Sequence, residues 1–285
     1  MSGTPALTWR PSSPALAPFV ASIGYLEGRF SHQRERSLPS GMTQLLVNLH
    51  SDELHSFDAE DHTVAQSTGG AALQGASARP CLIDPSQQRA ILWVNFRLGG
   101  AYPFFPEPAP ESRDLLVDLA DLWGRDGATL RERLLNAGSP VEMLRTVECV
   151  LLARAARPLQ RDPAISAAGL ALHRGVSVAD VADRLGWTPK RLGQRFSEQI
   201  GLTPKLFGRV RRFQRLVRAA GDGADGQWAR LAAECGYHDQ AHLIHDFRAL
   251  AGITPAAYAP RSPGEFNHVP ISTSDEDGAR IRMGP

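Results

Sequence analysis

The feature that most constrains this chain is an internal repeat near its C-terminal end. One copy, VADVADRLGWTPKRLGQRFSEQIGLTP, runs from Val178 to Pro204, and the other, WARLAAECGYHDQAHLIHDFRALAGITP, from Trp228 to Pro255. Gly186 aligns with Gly236 at an offset of 50. Phe196 and Phe247, Gly201 and Gly252, and Pro204 and Pro255 align at 51, so the second copy holds one extra residue, in the turn. Each copy is an amphipathic segment, a glycine-centred turn and a second amphipathic segment, which predicts a helix-turn-helix. Such a pair places its second helix in the major groove of DNA. Two copies would give one chain two reading helices.

Local chemistry sets the boundaries. Thr188 followed by Pro189 predicts the start of the first reading helix, because threonine caps well and proline fits the first turn. Asp239 takes the capping place in the second copy. Ser177 with Asp180 caps the helix before the first turn, and Asp162 or Ser166 opens a helix ending near Gly175. Thr203 and Pro204 open a long helix whose stripe of Leu206, Val210, Phe213, Val217 and Ala220 predicts one buried face, broken by GDGADG at 221–226.

The outward faces follow from helical geometry. Leu192 and Phe196 mark the buried side of the first reading helix, which turns Lys190, Arg191, Gln194 and Ser197 away from it. Lysine and arginine suit guanine edges or phosphate, and glutamine suits adenine. In the second copy Leu243 and Phe247 take the buried roles. Ala241, His242, His245 and Arg248 point outward, with Gln240 in the first turn within reach of a base. Arg191 and Arg212 are expected on phosphates. The second face is less basic, which predicts weaker or more water-mediated reading. His242 and His245 lack a third ligand at supporting spacing, so no metal is expected there.

Charge and length agree with this division. At 285 residues the chain suggests two domains. The net charge of +1 conceals a basic segment from Gln160 to Ser262, with 15 Lys and Arg against 9 Asp and Glu, on an otherwise acidic chain. No apolar run approaches the roughly 18 residues that cross a bilayer, and no signal peptide is visible. Cys81, Cys149 and Cys235 are few and far apart, which suits a reducing, cytoplasmic setting.

The first hundred residues read as β structure. Arg89–Leu98 alternates, with Ala90, Leu92, Val94, Phe96 and Leu98 against Ile91, Trp93, Asn95 and Arg97, and Met42–His50 is a second apolar run. Shorter runs at Phe19–Leu26, Thr63–Gln66, Ala72–Gly75 and Cys81–Ile83 complete a sandwich or small barrel. After the proline-rich Tyr102–Pro110, Leu115, Leu116, Leu119 and Leu122 recur at helical spacing. Ser139, Pro140 and Glu142 form a capping-box start for a helix to about Ala156, and Arg157–Pro163 is a linker. The domain reading is 1–108 β-rich, 109–160 helical linker or dimerisation region, 161–260 DNA-binding, and 261–285 a disordered tail.

The string AAECGYHDQAHLIHDFRALAGITPAAY (Ala232–Tyr258), together with RLGWTPKRLGQRFSEQIGLTPK (Arg184–Lys205), resembles the DNA-binding domain of AraC-type transcriptional regulators over about 95 residues. That resemblance implies a seven-helix domain with two helix-turn-helices bridged by the Thr203–Ala220 helix. It places base reading at Lys190, Gly193 and Gln194, then at Gln240, Ala241, His242 and His245. Gly193 and Ala241 have no side-chain hydrogen bond to offer. Pro11–Gly28, Leu38–Leu49, Val94–Phe105 and Leu119–Gly124 resemble the sensor domain of one largely uncharacterised AraC-type subgroup, which implies a cupin-like β-barrel followed by helices. Gln44 stands where that subgroup often carries Glu, and Leu98 where Pro usually precedes the Gly pair.

Two rivals are a metal-dependent cupin-type enzyme and a DNA-repair alkyl acceptor. His50, Asp52, His55, Glu60 and His62 crowd one stretch, but it reads as an exposed acidic loop, and Cys81 has no neighbouring cysteine. No phosphate loop or nucleophile elbow is present. The expected fold is α+β: an N-terminal cupin-like barrel or sandwich with appended helices, then an all-α domain of about seven helices. The expected function is a bacterial, cytoplasmic, sequence-specific transcription regulator, not an enzyme, with no cofactor. Double-stranded DNA is the expected partner. RNA polymerase, a small-molecule effector and a second copy of the chain are further candidates.

Overall fold

The computed structural model describes residues 6–28, 30, 32–61, 65–221, 227–262 and 264–271. The first half is two antiparallel sheets. The strands are β1 (Leu7–Trp9), β2 (Val20–Glu27), β3 (Glu35–Ser37), β4 (Gln44–Asn48), β5 (Glu53–Asp58), β6 (Ala65–Gly69), β7 (Ala71–Gln74), β8 (Cys81–Ile83), β9 (Ala90–Phe96), β10 (Leu116–Asp118) and β11 (His268–Pro270). One sheet runs β1-β2-β9-β4-β7-β10 and the other β11-β3-β8-β5-β6.

The alternation in β9 sorts two environments, because successive side chains leave opposite faces of a strand. Leu92, Val94 and Phe96 join Leu45 and Val47 of β4 in a core with α1 (Leu119–Trp123), α2 (Arg125–Leu135) and α3 (Pro140–Ala153). Ile91, Trp93 and Asn95 face the other sheet across a cavity of about 740 Å³. Gly24 of β2 pairs with Trp93, and a Cβ there would lie 2.1 Å from the indole, so the ring needs glycine beneath it.

The second half is helical: α4 (Pro163–His173), α5 (Val178–Arg184), α6 (Pro189–Ile200), α7 (Pro204–Gly221), α8 (Trp228–Cys235) and α9 (Gln240–Ala251), followed by one 3-10 turn at Pro255–Ala257. The α+β class and the helix-turn-helix pairs are as expected, and Asp162, not Ser166, caps α4. The halves share a core, since Leu38, Ala76, Ala78 and Val269 pack among α4–α9. The linker is tied down. Arg157 donates to the Tyr102 carbonyl at 2.8 Å, and Arg161 to the carbonyls of Pro18 at 2.9 Å and Leu98 at 2.7 Å.

Three expectations fail. Leu115 and Leu116 do not begin a helical stripe, because Leu116–Asp118 pairs with β7 and the helix starts at Leu119, capped by Asp118. Leu119 is fully buried with Leu122 packed against the same core, while Leu115 is 43 % exposed and lies off that face. The supposed acidic loop contains β5, whose Leu54 is buried while its polar neighbours face solvent or the cavity. The expected tail is ordered over 264–271, where β11 pairs with β3; its sequence is polar because its partners there are charged. Of the expected strand Thr63–Gln66, residues 63 and 64 lie outside the described residues, as do His62, residues 222–226 and residues 272–285.

Candidate nucleic-acid interface

The two helix-turn-helix copies are built by the same local bonds. In the first, Gly186 takes φ +64° and the Trp187 amide donates to the Ala182 carbonyl at 2.9 Å. In the second, Gly236 takes φ +79° and the Tyr237 amide donates to the Ala232 carbonyl at 2.8 Å. These are helix C-terminal motifs that need a left-handed residue, which glycine adopts without penalty. The extra residue, His238, falls directly after this shared turn. Each reading helix then opens on its predicted cap. Thr188 Oγ1 accepts from the Arg191 amide at 3.2 Å, and Asp239 Oδ1 from the His242 amide at 2.7 Å. The latter bond, with His238, pulls the Asp239 carboxyl below its ordinary range.

α6 buries Leu192, Phe196 and Ile200 and exposes Lys190, Arg191 and Gln194, as its periodicity predicts. The Arg191 guanidinium lies 4.8 Å over the Trp187 ring. Gly193 is half-buried on the flank, and Ser197 is half-buried with its hydroxyl on the Leu202 carbonyl at 3.3 Å. On α9, Gln240, Ala241, His245 and Arg248 are exposed. His242 turns back: its ring packs edge-on to Tyr237 at 5.3 Å, and its Nδ1 accepts from the His238 amide at 3.3 Å.

Arg212, expected on phosphate, is held inside the domain. It reaches Asp246 Oδ2 at 3.5 Å and lies 4.7 Å over the Tyr237 ring. Arg209 also pairs with Asp246, a carboxylate only 3 % exposed on the inner face of α9. Sequence reasoning missed this pair because Arg209 and Asp246 are 37 residues apart. Opposite sign was the available signal, but it does not choose among partners.

Both reading helices end against the N-terminal half. Gly201, at φ +88°, would bring a Cβ within 3.0 Å of the Ala109 carbonyl, and Gly252, at φ +68°, within 2.8 Å of Arg36 Nη1. Tyr102 further donates to Glu198 of α6 at 2.8 Å. The segment after α9 continues into β11 and borders the cavity. Arg261 Nη1 meets buried Glu35 at 2.9 Å, His268 Nδ1 meets it at 2.7 Å, and His32 Nε2 meets it at 2.8 Å. Burial alone would raise the Glu35 pKa, but these partners bring it from 4.5 down to about 2.

The residues behind the enzyme readings do not converge. His50 and Asp52 edge a shallow hollow with Arg131, and His55 pairs with Glu53 at 2.8 Å. Among the described residues no group of three His, Cys, Asp or Glu could hold a metal. Burial raises the Cys81 thiol to about 11, the reverse of an activated thiolate.

A helix-turn-helix domain family matches residues 181–261, which holds most of both copies, and a domain of unknown function, DUF6597, matches residues 9–118, which holds both sheets up to β10. Residues 181–261 thus carry an AraC-type helix-turn-helix domain. Solved structures similar to this chain include ToxT from Vibrio cholerae at 12 % identity, covering 89 % of this chain and 97 % of that one with a TM-score of 0.46. ToxT from Vibrio cholerae O395 matches at 14 % identity, with 83 % and 95 % covered and a TM-score of 0.44. Unsaturated fatty acid bound wild-type ToxT from strain SCE256 matches at 10 %, with 90 % and 96 % covered and a TM-score of 0.44. No curated protein matches the chain in sequence. No described helix is long and apolar enough to cross a membrane.

Proposed function

We propose that this chain is a sequence-specific DNA-binding transcription regulator, not an enzyme. α6 and α9 enter successive major grooves roughly one helical turn apart, and the cavity between the sheets takes a small-molecule effector. The observation that carries the reading is the twice-built helix-turn-helix with exposed reading positions: Lys190, Arg191 and Gln194 on α6, and Gln240, His245 and Arg248 on α9. The cavity, at about 740 Å³, lies within the usual range of ligand pockets, roughly 300–1,000 Å³. Leu46, Ile91 and Trp93 give it apolar walls, and the Gln44–Asn95 amide pair, at 2.6 Å, gives it polar groups.

Gel-shift titration against DNA flanking the chain's own gene tests this. Lys190→Ala and Gln194→Ala each lower specific affinity by about 1–3 kcal/mol and relax discrimination at one or two base pairs. His245→Ala costs less. Unchanged affinity and base preference in both α6 variants would remove the groove assignment.

A further inference from the structure

α7 carries five arginines, and they divide by face. Arg209 and Arg212 are paired with Asp246. Arg211, Arg215 and Arg218 are spaced i, i+4 and i+7, so they share another face, which meets the C-terminal end of α4. Arg211 Nε donates to His173 Nδ1 at 3.3 Å. Arg215 Nη1 donates to the His173 carbonyl, and its Nη2 to the Cys235 carbonyl at 3.3 Å. Arg174, exposed, caps α4 beside them.

Among the described residues, none of Arg174, Arg211, Arg215 and Arg218 has a carboxylate at ion-pair distance. Two helix C-termini, those of α4 and α8, supply about half a negative charge each. Four guanidiniums supply four positive charges, so among the described residues an excess of about three remains. The strain is visible in the groups themselves. Burial lowers the Arg211 pKa, and Arg218 and Arg215 lower it further. Burial, then Arg211, Arg215, Arg174 and Arg218, lowers that of His173.

We propose that this face is a phosphate-binding site distinct from the reading helices, with half-buried Arg211 and Arg215 as its floor and exposed Arg174 and Arg218 as its rim. The guanidinium fork matches two phosphate oxygens, which a lysine cannot do. The phosphate belongs either to the backbone of bound DNA or to a free phosphoryl compound. The site also borders the N-terminal half, since Arg211 Nη1 donates to the Ser40 carbonyl at 3.1 Å and Arg218 lies 4.8 Å over the Phe266 ring. The DNA arm of this proposal rests on the proposed function, and the free-phosphate arm does not.

The test uses the full chain with Arg174→Gln and Arg218→Gln, both exposed, and Arg125→Gln on α2 as a control. Binding to random-sequence duplex is measured across a salt series, and thermal melts are taken in inorganic phosphate against chloride at equal ionic strength. If DNA supplies the phosphate, each rim variant lowers the slope of log affinity against log salt by about 0.9, and the control leaves it unchanged. If a free phosphoryl group supplies it, phosphate raises the melting temperature of the wild type, and the rim variants lose that rise. Folded rim variants that keep both the wild-type salt slope and the wild-type response to phosphate overturn the site. Absence of any DNA binding by the wild type would instead overturn the proposed function, leaving the phosphate melts to decide the site.

Discussion

The two helix-turn-helix copies share a turn, a cap and two buried anchors, yet one repeat position has opposite character in each. Arg195 of α6 and Asp246 of α9 stand at the same place in the repeat. Arg195 is 53 % exposed and reaches Asp162 at 3.0 Å. Asp246 is buried and holds Arg209 and Arg212 of the bridging helix. The first copy therefore keeps its cations for the outside, while the second spends a carboxylate on fixing α7. The repeated bonds set the shape of each motif. The unrepeated charges decide which face is available to DNA and which locks the domain together.

The largest effect expected from that contrast is on stability. Asp246→Ala leaves two partly buried guanidiniums without their carboxylate, which costs about 3–5 kcal/mol by analogy with broken buried pairs. Arg195→Ala removes an exposed pair and costs at most about 1 kcal/mol. Urea denaturation of the two variants measures both. Equal losses would erase the distinction between a locking and a surface charge.

The same contrast explains what could be seen in the sequence. The helices, their caps and the α6 reading face were legible because each depends on residues within one or two turns of one another. Thr188 caps Arg191, and Leu192 and Phe196 set the face. β9 was legible because one of its faces is wholly apolar. β5 and β11 were not, because their partners are charged or line a cavity, so neither strand needs alternation: Glu35 meets Arg261 and His268 from 226 and 233 residues away. The positions of Arg212 and His242 were misjudged for a related reason. Helical geometry turns both away from their own helix, but it does not reveal Asp246 or Tyr237 waiting on a neighbour.

The copies also differ in how they are tied to the N-terminal half, and acid should break one tie first. The second copy continues through Arg261 into β11, whose hold on β3 centres on Glu35. Its carboxyl falls from 4.5 to about 2 in the folded chain, so the stabilisation is complete above about 4.5 and is lost as pH falls from there to about 2. The linkage is at most about 3 kcal/mol. Glu35→Gln should lower stability near neutral pH and remove that part of the acid dependence. Melts across this range would show wild type and variant converging as pH falls. Parallel curves would mean that Glu35 does not carry the tie.

The smallest expected effect concerns the first copy, whose extra tie is a single exposed contact between Tyr102 and Glu198. The equivalent of Glu198 in the second copy is Ala249, which has no group to offer. Tyr102→Phe keeps the ring beneath the Arg157 guanidinium, 4.2 Å from its centroid, and deletes only the hydroxyl. The loss should be about 0.5–1 kcal/mol, the net worth of one such hydrogen bond. Because the bond touches only the end of α6, amide exchange should quicken from Ser197 to Ile200 and stay as it was from Arg248 to Ala251. An equal change in both helices would show that the N-terminal half grips the two copies as one body, and that the asymmetry between them stops at their charges.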